Sequence, residues 1–161
     1  MFSCAICEDY PYDKKALTYK NKFVFDNQFR MDGYYLMKTD YGGHTARYFF
    51  QDGFYHGVGI DSSEIGIECF QIPSKVRNWP YVWGCFIIED GILKVQTYDP
   101  GSMNRYTKYK VIEQWGEIVN DTTIHFFKCI DTEGKSSQLD KTFHFHHCEN
   151  KPDSTNILMR N

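Results

Sequence analysis

What this chain lacks narrows its function before any motif is read. It has no excess of positive charge: 18 Lys and Arg stand against 21 Asp and Glu, a net charge of -3. That leaves no electrostatic footprint for a nucleic acid backbone. No apolar run is long enough to cross a bilayer as a helix. There is no GxxxxGK[ST] loop to cradle phosphates and no Gly-x-Ser-x-Gly elbow to expose a nucleophile. Low hydrophobicity with high net charge, the composition of a disordered chain, is absent too.

What is present is aromatic. Of 161 residues, 17% are Phe, Tyr or Trp, with 13 Phe and 12 Tyr. Aromatic side chains favour half-buried pleated surfaces, so the bias points to strands. The length suits one domain with a sizeable core. Six cysteines stand at Cys4, Cys7, Cys69, Cys85, Cys129 and Cys148. Cys4 and Cys7 have the spacing of half a metal site, but no second pair answers them. Cys85 and Cys129 sit in apolar strand patterns, where a free cysteine serves as a small buried hydrophobe. No disulfide pairing follows from these positions.

Residues 1–21 are polar and irregular and read as a tether or arm; residues 22–161 read as a single β-barrel domain. From Phe29 the period becomes two: Phe29, Met31, Gly33, Tyr35 and Met37 share one parity. Ala46, Tyr48 and Phe50 lead to Asp52-Gly53, and Phe54, His56, Val58 and Ile60 lead away. Asp-Gly between alternating runs is a hairpin signal, because a type I′ turn needs positive φ at both central residues. It recurs at Asp90-Gly91, between Trp83–Glu89 and Ile92–Tyr98. A third pair runs from Arg105 to Val119, turns at Asn120-Asp121 and returns over Thr123–Ile130. Lys135–Asp140 reads as a polar loop and Thr142–His147 as a last short strand. Ile65, Cys69, Ile72 and Val76 fall at helical spacing, and Asp61 with Glu64 fits a capping box. Gly66 and Pro73 oppose that helix, so 61–79 is a short helix or a covering loop. The expectation is all-β: an antiparallel up-and-down barrel of about eight strands, which closure frees of exposed edges.

Several of these segments together resemble a known family. They are Phe29-Arg30-Met31-Asp32-Gly33-Tyr34-Tyr35, Tyr48-Phe49-Phe50-Gln51-Asp52-Gly53, Trp83-Gly84 with Ile92 and Gln96, and Phe143-His144-Phe145 before Lys151-Pro152-Asp153-Ser154-Thr155-Asn156. Their pattern is similar to that of lipocalin-like envelope lipoproteins of Bacteroides. The likeness spans about 29–156 and implies an eight-stranded calyx anchored by a lipidated cysteine. Lipocalins proper carry Gly-x-Trp in the first strand; here the residues are Gly33-Tyr34-Tyr35, so the wider calycin-type barrel is the name implied. Ser3-Cys4 looks like the end of a lipoprotein signal, although Phe2 is a poor match to that pattern. On that reading Cys4 carries the lipid and Met1 is internal to a longer reading frame; the plain alternative is an intracellular N-terminus.

The candidate chemistry is thin. His144, His146 and His147 beside Cys148 invite a metal, but a strand with its polar face in water explains them as well. No local signature assembles a nucleophile, base and orienting carboxylate, so no catalytic residue, metal or cofactor is expected. Tyr35, Tyr48, Phe50, Trp83, Trp115 and Phe126 fall on one parity of successive strands. They are either core or the wall of a pocket, and an eight-stranded barrel is just wide enough for side chains or one small ligand. The expected function is binding of a small apolar or amphipathic ligand inside the barrel, with membrane contact only through a lipid anchor. The alternatives are an envelope protein-interaction module with a packed barrel core and, ranked last, an enzyme working at the barrel mouth.

Overall fold

Eight strands follow one another along the chain, and each pairs antiparallel with the next. They are β1 Gly33–Lys38, β2 His44–Phe49, β3 Phe54–Ile60, β4 Trp83–Glu89, β5 Ile92–Asp99, β6 Lys110–Asn120, β7 Thr123–Ile130 and β8 Ser136–His147. β8 returns to β1, from Gly33 opposite His147 to Leu36 opposite His144, and the sheet closes into a barrel. The computed structural model describes residues 12–24, 27–61, 64, 69–102 and 109–159. Among these, the only helices are short 3-10 turns.

The two Asp-Gly hairpins turn differently. At Asp90-Gly91 both residues have positive φ, 52° and 76°, as a type I′ turn requires. At Asp52-Gly53 only Gly53 does, and the loop closes with Gly53 N–H donating to Phe50 O and Phe50 N–H to Phe54 O. The same bonding recurs over Thr39–Gly43 and over Asp131–Lys135. Lys135–Asp140, expected to be a loop, mostly belongs to β8. Ser136 to Gln138 pair with β7 although their side chains are exposed, so the polarity marks an uncovered strand.

Two apolar cores lie back to back. One is the barrel interior, to which all eight strands contribute: Tyr35, Phe49, Tyr55, Phe86, Leu93, Ile124, Phe126 and Phe143 are buried there with partly buried Ile118. Contacts across the barrel identify it. Phe49 on β2 packs edge-on against Phe86 on β4, centroids 5.1 Å apart, and Arg47 on β2 lies over the Phe126 and Phe143 rings of β7 and β8. Phe29 caps one end of this interior, packing on Tyr35, Phe49 and Phe86. Phe29–Met31 therefore forms a plug rather than the start of β1. Arg30 N–H and the Tyr35 hydroxyl both donate to Asp121 O and so fasten the plug to the β6–β7 turn.

The second core lies outside the barrel. Ala46, Tyr48, Phe54, Trp83, Cys85 and Tyr98 point away from the interior, yet all are buried. Three segments cover them. The arm lies along β5: Tyr98 donates to Asp13 O at 2.7 Å, Gln96 Oε1 accepts from Thr18 and from the Tyr19 N–H, and Leu17 is buried. The connection between β3 and β4 crosses as a covering strap, with 3-10 turns at Val76–Asn78 and Pro80–Val82. The tail after β8 completes the cover with buried Cys148 and Leu158.

Candidate functional site

The strap is pinned at several points. Cys69 forms a disulfide with Cys148, joining it to the tail across 79 residues of sequence. Tyr48 Oη donates to Phe70 O at 3.0 Å and accepts from Phe70 N–H at 3.1 Å, so one phenol satisfies both backbone groups of a strap residue. Trp83 Nε1–H reaches Val76 O, and the Arg77 guanidinium grips Asp153 and Thr155 O in the tail.

Between this strap and the outer face of β2 and β3 lies a pocket of about 410 Å³. Its walls are mainly apolar, with Val58 and Ile60 on the sheet side and Ile72, Pro73 and Val76 on the strap side. The local sequence explains the shape. β-branched residues alternate outward on β3 with Gly57 and Gly59 between them, and Pro73 opens the turn into Val76–Asn78, its carbonyl accepting from the Val76 and Arg77 N–H groups. The volume falls within the range of small-molecule sites, roughly 300–1,000 Å³.

One polar group of this wall is unsatisfied. His56 lines the pocket, is 2% exposed, and packs at a tilt against Trp83 with centroids 4.5 Å apart. Burial, against an opposing bond to the Val82 backbone and with Arg77 nearby, lowers its pKa to about 4. The ring is therefore neutral at pH 7. Nδ1 is buried without a hydrogen-bond partner among the described residues. Of the other polar groups in the lining, Tyr48 bonds Phe70, Cys69 is in its disulfide, Gln71 Nε2 donates to Asn150 O and Glu64 Oε2 accepts from the Asp61 N–H.

The six aromatic residues expected to share one wall do not share one. Tyr35 and Phe126 are buried in the barrel interior. Tyr48, Phe50 and Trp83 belong to the outer core; Tyr48 lines the strap pocket and Trp83 packs against its histidine. Trp115 is on the outer surface, between Lys94 and Lys128, whose ammonium groups sit 4.8 and 3.9 Å from its ring, and its Nε1–H bonds Glu113. The expected single stripe thus divides among three places. Both parities of β2 and β4 are apolar, so alternation could not say which was inside. Cys4 lies outside the described residues.

Residues that sequence reading passed over matter more. The sequence places His56 only in the alternating run Phe54, His56, Val58 and Ile60, with no role of its own. The Arg47 guanidinium is buried in the barrel, bonded to Gln114 Oε1 at 2.6 Å, with Nε and Nη1 lacking partners among the described residues. Lys151 is half-buried. It donates to Met31 O and Phe49 O and lies over the Phe50 ring, and desolvation lowers its pKa to about 8. The histidines of β8 are spread out: His146 stacks on Tyr34, and His147 bonds Asp32. Among the described residues no group of three or more His, Cys, Asp or Glu is placed to hold a metal ion.

The class that fold and site define is an up-and-down β-barrel with a strapped outer face. Comparison with protein-family models, with curated proteins and with solved structures finds no match to the chain.

Proposed function

We propose that this protein is a lipocalin-like binding protein whose small, mainly apolar ligand sits in the pocket beneath the strap rather than in the barrel interior. The single observation that carries the reading is the pocket itself: about 410 Å³, apolar on both walls and roofed by a disulfide-tied segment. Apolar surface left uncovered in such a cleft is stabilised by any ligand that removes it from water, by about 25 cal/mol per Å² buried. An environment-sensitive apolar dye should therefore bind with one-site stoichiometry and quench tryptophan emission through Trp83. Val58→Trp, which fills the pocket, should abolish that binding. Saturable binding that survives Val58→Trp would place the ligand elsewhere.

An envelope location, with a lipid on Cys4, is the accompanying proposal. The Cys69–Cys148 disulfide supports it, because such bonds persist in oxidising compartments. A protein-interaction module is the second reading. It is favoured by the aromatic side chains and Arg47 that occupy the barrel interior where a calyx would be open. Absence of any saturable dye binding would select it.

A further inference from the structure

The barrel closes over only part of its last strand. β8 is 12 residues long, Ser136–His147, yet β1 pairs with it only from His144 to His147. Beyond Leu36 the two strands part. β1 stays with β2 as far as Lys38, while β8 stays with β7 back to Ser136. Among the described residues no strand pairs with 136–143 on the side that faces β1. The parting leaves a slot of about 560 Å³, with Lys38 to Tyr41 on one wall and Asp140 to Thr142 on the other. Its backbone groups are aimed into the open. Phe145 N–H donates to Thr122 O, and Lys135 O accepts from Asp131 N–H, so both residues turn their backbone toward β7. That direction alternates along a strand. Counted from its own end of β8, each of Thr142 and Gln138 turns its backbone to the open side. Gln138, Asp140 and Lys141 are exposed. An edge of unpaired N–H and C=O groups is a template for one more extended chain.

We propose that this slot docks an extended segment of another polypeptide, which adds to β8 as a strand in the place that β1 vacates. The walls describe that segment. Lys38 and Lys141 are balanced by Asp40 and Asp140, so they favour no net charge. Met37 and Leu139 are partly buried against the barrel interior, so apolar residues at alternate positions of the segment would meet them, with polar residues between. The β1–β2 hairpin stands as a second wall, which admits a single chain and obstructs a strand already flanked by its own sheet. The slot shares no lining residue with the strap pocket and does not depend on what that pocket holds.

The test is selection of a phage-displayed library of random peptides on the oxidised native protein, followed by anisotropy titration of the enriched sequences. Gln138→Pro removes one N–H from the open edge, where proline is tolerated, and should weaken binding about tenfold. Gln138→Ala keeps that N–H and should stay within about twofold. N-methylation of alternate peptide residues asks the same question without touching the fold. Methyl groups on one parity should abolish binding, and on the other should leave it. Failure of any peptide to enrich would overturn the proposal. So would equal losses from Gln138→Ala and Gln138→Pro, or indifference to N-methyl parity, since side chains and not the edge would then be read. Concentration-dependent dimerisation that Gln138→Pro abolishes would overturn it too, by assigning the edge to a second copy of the chain.

Discussion

The outer face of this barrel is two different surfaces. Over β1 to β5 it is a second core: Ala46, Tyr48, Trp83 and Cys85 are as buried as Phe86 or Phe126 inside. Over β6 to β8 it is bare, with Glu117, Gln138, Asp140 and His144 in solvent and Trp115 lying flat between two lysines. The sequence differs accordingly. Thr123-Ile124-His125-Phe126 and Thr142-Phe143-His144-Phe145 alternate cleanly, as strands with one wet face do. Tyr48-Phe49-Phe50 and Trp83–Ile88 are near-continuous apolar runs, as strands covered on both faces are. An antiparallel barrel needs only one buried face, so the doubled burial marks where straps, and with them the pocket, were added.

The largest effect expected from this difference is on stability. Trp83→Ala should cost about 3–5 kcal/mol, as large aromatic-to-alanine changes in cores do. Trp115→Ala should cost well under half of that, since its partners are half-buried surface charges, Lys94 and Lys128, worth about 0.5–1 kcal/mol each. Denaturant unfolding of the two variants measures this, and equal losses would break the comparison. Next comes the strap: Cys148→Ser should destabilise by about 2–5 kcal/mol and weaken dye binding, because the bond closes a long loop over the pocket. A variant with unchanged dye affinity would show that the roof does not depend on its disulfide.

These two effects bear on what could be read in advance. Strand number, order and the Asp-Gly turn positions were legible, because alternation and turn residues act locally. The assignment of Tyr48, Phe50 and Trp83 to the inside was not, because both parities there are aromatic. The pairing of Cys69 with Cys148 and the packing of the arm on β5 depend on contacts distant in sequence. So does the burial of Arg47, since charge alone suggests solvent. His56 carried one faint signal, a histidine within the buried half of a strand whose neighbour Tyr55 is also apolar.

A third effect follows from His56. Its folded-state pKa, about 4, lies below the ordinary 6.5. The unfolded chain therefore takes up a proton that the folded chain refuses. The stabilisation is intact above about pH 6.5 and is lost as pH falls through about 4, amounting to about 3 kcal/mol in all. His56→Phe should flatten that part of the stability profile; a slope unchanged in the variant would assign it to other groups. The smallest effect concerns Arg47. A buried guanidinium without a carboxylate is costly, so Arg47→Leu should leave stability unchanged or raise it by about 1 kcal/mol. A loss above about 2 kcal/mol would mean that its contacts with Phe126, Phe143 and Gln114 outweigh its desolvation.

The existence of the covered outer core is tested most directly by tryptophan accessibility. Two single-tryptophan proteins are needed, one keeping Trp83 and one keeping Trp115, with the other tryptophans replaced by Phe. Trp83 should emit in the blue and resist acrylamide quenching, and Trp115 should emit further to the red and be quenched readily. Equal quenching of the two would mean that the straps do not cover β4, and that the pocket beneath them does not exist.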